Sequence, residues 1–168
     1  MVLHIDLIVL HAAFATVAFG LGCALMAVLP ESARSRRFIV YYCCVWAAVA
    51  FLVAAVLVDW PQLPLVKRVA FGGLSLLGLY LLWRTDRARA SLLQRRAGWS
   101  TAFVGHIGFV LISLFDGFCI VTAIDLHLPP LVIALVAVLG VVAGVVVIRR
   151  VARREQGRSA AAAGIGAR

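Results

Sequence analysis

Residues 101–125 read TAFVGHIGFVLISLFDGFCIVTAID, a mostly apolar stretch of 25 residues. It is long and apolar enough to cross a bilayer as one helix, since about 20 mostly apolar residues suffice. It also contains His106, Ser113 and Asp116. At about 100° per residue, all three lie within an arc of about 80° on one helix face. The stretch therefore predicts a membrane helix with a polar file, the name used below for these three side chains.

Composition extends this prediction to the whole chain. Of 168 residues, 64% are hydrophobic and 14% are charged, which is too apolar for a soluble domain and leaves no room for a separate catalytic one. The net charge is +9, but the basic residues cluster between apolar runs. Such clusters are typical of cytoplasmic membrane loops that meet anionic lipid headgroups. We therefore expect the lipid bilayer as a partner and no nucleic acid.

Five apolar runs predict an all-α integral membrane protein, a bundle of five transmembrane helices within residues 1–150. Between the third and fourth runs, residues 84–100 are rich in arginine and predict a short amphipathic helix on the membrane surface. Residues 151–168 predict a basic, disordered cytoplasmic tail. The predicted helices cover about residues 5–29, 38–58, 64–83, 101–125 and 131–148.

The distribution of lysine and arginine predicts the orientation of the chain. Of these 16 residues, 14 lie in residues 30–37, in residues 84–100 and after Ile148. Because basic loops stay in the cytoplasm, we expect the N-terminus outside and the C-terminus inside, in the cell (plasma or inner) membrane. Lys67 and Arg68 fall on the outer side, near the positive end of the third helix dipole. They either snorkel to lipid headgroups, pair with an acid or bind an anion.

His11 and Asp116 are the first candidates for chemistry. At about 1.5 Å of rise per residue they lie about 9 Å and 14 Å below the outer surface, within reach if the first and fourth helices are neighbours. A carboxylate near mid-membrane costs about 2.5–3.5 kcal/mol on insertion scales. An imidazole beside it can exchange a proton with it or help hold an ion. The alternative interpretation is a static hydrogen bond that fixes helix packing.

Further candidates lie at both ends of the helices. His106, near the inner surface, would extend a proton or ion path, unless it only bonds a backbone carbonyl. A haem bound by His11 and His106 is a rival interpretation to the proton or ion site. The predicted depths of these two histidines, however, differ by about 12 Å in a core of about 30 Å. Because imidazole–metal bonds are about 2 Å long, one iron cannot take both. Zinc or copper, against an ordinary solvated surface, is considered at the outer-face residues His4, Asp6, Asp125 and His127.

Function is the least determined property of the sequence. It contains no nucleophile elbow, P-loop, zinc-protease or dinucleotide-binding motif, so a non-enzymatic role is favoured. Gly140 and Gly144 form a G-x-x-x-G, which permits close helix contact within the chain or in a dimer. We expect a homo-oligomer or a larger membrane partner, with the contact made through the fifth helix. We predict a small transport-type or channel-type membrane protein with an intramembrane proton or ion site. The alternatives are an accessory or assembly subunit of a larger membrane complex and, third, a haem- or metal-binding electron carrier or enzyme.

Overall fold

The structure, a computed structural model, describes residues 2–27, 36–94 and 98–165. These residues form five α-helices and one turn of 3₁₀ helix, and no strand occurs among them. Helices satisfy their backbone N–H and C=O groups internally, as a segment inside a bilayer must. The helices are α1 (Val2–Ala27), α2 (Arg36–Asp59), α3 (Leu65–Gln94), α4 (Trp99–Asp125) and α5 (Pro130–Ile165).

Four stretches of the described chain are long and apolar enough to cross a membrane, so the protein is a multi-pass membrane protein with an all-helical fold. They fall on α1, α2, α4 and α5, whereas α3 carries Lys67 and Arg68 in its first turn. The prediction of five spans is therefore supported for four helices. The four spans are Leu3–Ala27, Arg36–Gln62, Trp99–Ala123 and Leu131–Arg154.

The helices form a ring of four with a fifth helix outside it. Helix α2 packs between α1 and α3, and α4 closes the ring by packing against both α1 and α3. Helix α5 packs mainly against α4, which makes α4 the central helix. Side chains of α2 and α4 form most of the core, and those of α4 lie at its centre. The fully buried side chains of α4 are Phe103, Val104, Ile107 and Val110, packed with Tyr41 and Val45 of α2.

Consecutive helices run antiparallel, and this gives the bundle two ends. At the end called the His4 end, His4 at the start of α1 contacts Asp59 at the end of α2. At the opposite end, called the Tyr42 end, Tyr42 near the start of α2 contacts Asp86 in the last third of α3. The order of the helices therefore places residues far apart in sequence at one depth.

Glycines set the register between α4 and α5. Added methyl groups on Gly108 and Gly144 would overlap Ile148 and Ile112 respectively, so these isoleucines fill the space that the glycines leave. The same spacing of four residues brings Asp116 against Gly140, where an added Cβ would lie 2.7 Å from the carboxyl Oδ1. The predicted G-x-x-x-G therefore serves a close contact within the chain.

Two helices extend beyond their predicted limits. Helix α3 continues without a break to Gln94, where the sequence predicted a change to a separate surface helix at residue 84. Helix α5 continues to Ile165, through most of the tail that was predicted to be disordered. Alanine, arginine, glutamate and glutamine make up most of these two segments, and because they are good helix formers they continue a helix that has already begun. Residues 95–97 and 166–168 lie outside the described part of the chain.

Candidate functional site

Asp116 lies in the interface between α4 and α5, away from both ends of the bundle. Its Oδ1 atom is buried, and no hydrogen-bond partner for it lies among the described residues. The close approach to Gly140 leaves the carboxyl backed by helix backbone on that side. A buried polar atom without a partner costs about 1–3 kcal/mol, and more when the group is charged. Asp116 is thus held in a costly position by tight packing.

His11 has a different neighbour from the one predicted. Its Nδ1 atom donates a hydrogen bond of 2.8 Å to the carbonyl of Ala48, which joins α1 to α2. Phe19 of α1 stacks on Phe115 of α4 with ring centroids 6.1 Å apart, and this contact fixes the register of the two helices.

This register separates His11 from Asp116. With Phe19 level with Phe115, Asp116 is level with the fully buried Ala18. His11 lies seven residues farther along α1, or about 10 Å along the helix axis, twice the predicted gap. The predicted His11–Asp116 pair is therefore not formed in this arrangement, because the stagger between two helices cannot be obtained from the length of each.

The same register bears on a haem shared by two histidines. His11 is level with Ala123, which lies 17 residues from His106 on α4. That corresponds to about 25 Å along the axis, far beyond the length of two imidazole–metal bonds. A single iron bound by His11 and His106 of one chain is incompatible with this geometry.

His106 faces the arginines of α3 at the Tyr42 end. Its Nδ1 atom is buried without a hydrogen-bond partner. Arg84 and Arg87 lie close enough to interact electrostatically with its ring. Between His106 and Asp116, Ser113 is partly buried one turn before the carboxyl. Ser113 thus lies between His106 and Asp116 on α4, and each of these two end side chains has one buried polar atom without a partner among the described residues.

Lys67 and Arg68, the basic pair at the start of α3, have different surroundings. Arg68 donates from Nη2 to the carbonyl of Pro61 at 3.1 Å, while its Nε atom is buried without a partner. Lys67 is exposed and lines a cavity that it shares with His4 and Asp59. In that cavity His4 Nδ1 lies 3.1 Å from Asp59 Oδ2.

Of the predicted outer-face metal ligands, the side chains of His4, Asp6 and His127 belong to the described part of the chain. The described side chains contain no group of three or more histidine, cysteine, aspartate or glutamate residues with the geometry for a metal ion. His4 is paired with Asp59, Asp6 is exposed, and the side chain of Asp125 lies outside the described part.

His127 has a structural task in the turn after α4. Its φ of 55° is left-handed, and Leu128 N–H bonds the carbonyl of Ala123 at 3.1 Å. This is the helix-ending motif in which glycine is the usual left-handed residue. The backbone of His127 therefore terminates α4, and its exposed side chain is not needed for that role.

Arg84 is a residue that the sequence pattern misplaced. It was assigned to a surface helix, but its Nη2 donates 2.7 Å to the carbonyl of Gly105 and its guanidinium lies 4.9 Å from the ring centre of Phe109. Tyr42 and Asp86 make a second contact of this kind, in which the hydroxyl donates 2.7 Å to Oδ1. The sequence offered one indication of these contacts, since Arg84 and Asp86 lie close to the aromatic Trp83. They reach neighbouring helices because α3 continues through them without a break.

Comparison with known proteins adds no relative. No family model matches the chain, and neither the curated proteins nor the solved structures contain a match. The class that the fold defines, a multi-pass membrane protein with an all-helical bundle, therefore rests on the residues and their geometry.

Proposed function

We propose that this chain is a small transport-type membrane protein in which Asp116 binds and releases a proton or an ion inside the bilayer. The supporting observation is the Oδ1 atom of Asp116, which lies inside a span and is buried without a hydrogen-bond partner among the described residues. Carboxylates in such positions are rare and are associated with ion pathways and proton relays.

The surroundings of Asp116 argue against a purely structural role. Two polar side chains elsewhere in this bundle connect neighbouring helices through hydrogen bonds, His11 to Ala48 and Tyr42 to Asp86. Among the described side chains with a buried polar atom and no partner, Asp116 is the one acid. A carboxyl that only held α4 to α5 would be expected to accept a hydrogen bond across that interface.

The polar file gives this carboxyl a route toward one end of the bundle. From Asp116 it leads through Ser113 to His106, about 15 Å along the helix at 1.5 Å per residue. A neutral imidazole can accept a hydrogen bond at one ring nitrogen while it donates at the other, and the buried Nδ1 of His106 has no partner among the described residues. We place the exit of this route at the Tyr42 end, where Arg84 and Arg87 of α3 lie beside His106.

A bundle of five helices is narrow for a transport unit, so we also propose how the chain is oriented in the membrane and how it assembles with a partner. We take α3 as a fifth span, because it lies alongside α2 and α4 within the bundle. With five spans, the basic loops remain on the cytoplasmic side, which places the N-terminus outside in the cell membrane. Since Gly140 and Gly144 are occupied by α4, a second copy or larger membrane partner would use the opposite face of α5. That face carries the exposed Leu131, Leu135, Val138 and Val142.

Proton flux across liposomes tests this function. The native protein, Asp116→Asn and the matched control Asp86→Asn are reconstituted at equal density, and a pH-sensitive dye inside the vesicles reports flux under an imposed gradient. We expect flux from the native protein and the control and at least a tenfold loss in Asp116→Asn. Equal flux in all three proteins would reject Asp116 as the carrier, and a matching series with sodium or potassium distinguishes an ion from a proton.

An accessory subunit is the second candidate, and one observation favours it. Several polar side chains form hydrogen bonds between neighbouring helices: His11 with Ala48, Arg84 with Gly105 and Tyr42 with Asp86. Polar contacts of this kind stabilise a scaffold without moving anything. Absence of flux for every ion tested, in a folded native protein, would favour this role.

A further inference from the structure

A cavity opens at the His4 end, remote from Asp116. It lies between the start of α1, the end of α2 and the start of α3, and its volume is about 240 Å³. Most of its wall is apolar, formed by side chains such as Ile8, Leu52, Val56 and Phe71. The polar residues that line it are His4, Asp59 and Lys67.

The charges around this cavity are unevenly compensated. His4 contacts Asp59 at 3.1 Å, so the carboxylate has a partner from another helix. No ion pair of Lys67 occurs within the described residues, and its side chain is exposed. Lys67 also lies in the first turn of α3, where the helix dipole disfavours a cation. Lys67 is therefore a cation at the cavity without an ion-pair partner among the described residues, whereas the carboxylate of Asp59 has a contact from His4.

The position of the cavity restricts what can enter it. Ile8 belongs to the first span, and Leu52 and Val56 belong to the second, so the apolar wall lies at the depth of lipid chains. Lys67 is at the start of α3, where a helix meets the headgroup layer. An occupant must therefore present hydrocarbon to the wall and an acceptor to the ammonium group.

We propose that this cavity binds a single-chain segment of an anionic amphiphile, with its acidic head on Lys67 and its hydrocarbon against the apolar wall. A volume of about 240 Å³ is below that of a drug-sized pocket, so it accommodates part of one chain and not a whole two-chain lipid. The head is a carboxylate or a phosphate, since both accept from an ammonium group. Its sources are a free fatty acid or one chain of an anionic phospholipid.

The charge of Asp59 acts on an anionic ligand in the opposite direction from the charge of Lys67. The Asp59 carboxylate repels an anionic head, and its contact with His4 moderates that repulsion only partly unless His4 is protonated. Removal of the Asp59 charge should therefore strengthen binding, whereas removal of the Lys67 charge should weaken it. This site is separate from the proposed ion carrier, and nothing in it depends on Asp116.

Spin-labelled lipids in nanodiscs of phosphatidylcholine provide the test. The probes are spin-labelled stearic acid, phosphatidylglycerol and phosphatidylcholine, and the measurement is the motionally restricted fraction per protein in electron paramagnetic resonance spectra. The variants are Lys67→Gln, Arg68→Gln, Asp59→Asn and Ile8→Phe. Arg68→Gln is the matched control, because it removes the same charge at the same depth from a side chain that bonds Pro61.

We expect one anionic probe bound per protein in preference to phosphatidylcholine. Affinity should fall about fivefold in Lys67→Gln, change less than twofold in Arg68→Gln and rise in Asp59→Asn. Ile8→Phe, at an exposed wall position, should also weaken binding by filling space. Preference for stearic acid identifies a free fatty acid, and preference for phosphatidylglycerol identifies a phospholipid chain.

Two results would overturn the proposal. Equal losses in Lys67→Gln and Arg68→Gln would mean that the membrane surface charge attracts the probe without a site. No preference for either anionic probe over phosphatidylcholine would mean that the cavity does not select an acidic head. Both substitutions replace exposed or half-exposed side chains, so the folded protein is available for measurement.

Discussion

Asp116 and Asp86 are two acids on neighbouring helices with opposite surroundings. Asp86, at the Tyr42 end, accepts a 2.7 Å hydrogen bond from the Tyr42 hydroxyl, and the guanidinium of Arg89 lies 5.4 Å from the centre of the Tyr42 ring. Asp116 is far from either end, and its buried Oδ1 has no partner. In this bundle the carboxylate that connects two helices, Asp86, accepts a hydrogen bond from a donor on the neighbouring helix. A carboxyl without one must be explained by something other than packing.

The largest effect is expected at the glycine contacts that enclose Asp116. In Gly144→Leu the new side chain must displace Ile112, since even its Cβ would overlap that residue. Overpacking typically costs about 1–3 kcal/mol and occasionally more, and a whole leucine side chain in this closed contact should cost at least about 3 kcal/mol and separate α4 from α5. Thermal unfolding in detergent measures the loss.

Gly20→Leu is the control for this substitution. An added Cβ at Gly20 meets nothing within 4 Å, so the larger side chain should be accommodated there. Equal destabilisation in Gly20→Leu and Gly144→Leu would contradict the close α4–α5 contact, because it would show a general effect of replacing helical glycine.

The next effect in size is expected for Arg84→Met at the Tyr42 end. It removes the 2.7 Å bond to Gly105 and the guanidinium beside Phe109, while methionine keeps part of the apolar contact. Hydrogen bonds of charged groups contribute about 1.5–3 kcal/mol, so the free energy of unfolding should fall by a value in that range. Arg153→Met, an exposed position on α5, should leave it unchanged. A result in which both variants behave alike would remove Arg84 from the contacts that hold α3 to α4.

A smaller effect is expected for Tyr42→Phe. The substitution deletes the donor to Asp86 and leaves the ring in place, and a typical net hydrogen bond contributes about 0.5–1.5 kcal/mol. Because this contact is exposed, the loss should fall at the lower end of that range. Urea titration of the reconstituted protein measures it. Proton flux should stay at the native level, and a strong loss of flux would extend the ion path to this pair.

Hydrophobic pattern predicted most of the fold, for a reason specific to membranes. Inside a bilayer each backbone polar group must be satisfied within its own segment, so an apolar run such as residues 101–125 has few alternatives to a helix. The limits of α3 and α5 were less predictable. Arginine and alanine continue a helix as readily as they begin a surface segment, so the sequence contains no signal at Trp83 or Ile148 for an end.

The candidate site was predictable on one helix and not between helices. Spacing alone places His106, Ser113 and Asp116 on a common face of α4, because it depends only on helix geometry. The partner of His11 depends on the stagger between α1, α2 and α4. That stagger is decided by contacts such as Phe19 on Phe115 and by Leu111 packed against Gly22, which no single helix encodes.

The central claim is that Asp116 is retained for a function and not for stability. Thermal unfolding of Asp116→Asn tests it directly, with Tyr42→Phe alongside as a side chain whose bond is present. Since no partner of Oδ1 is lost and no buried charge remains, the melting temperature should equal or exceed that of the native protein. A decrease of about 2–4 °C or more, the equivalent of about 1 kcal/mol, would contradict the claim and make Asp116 part of the helix packing.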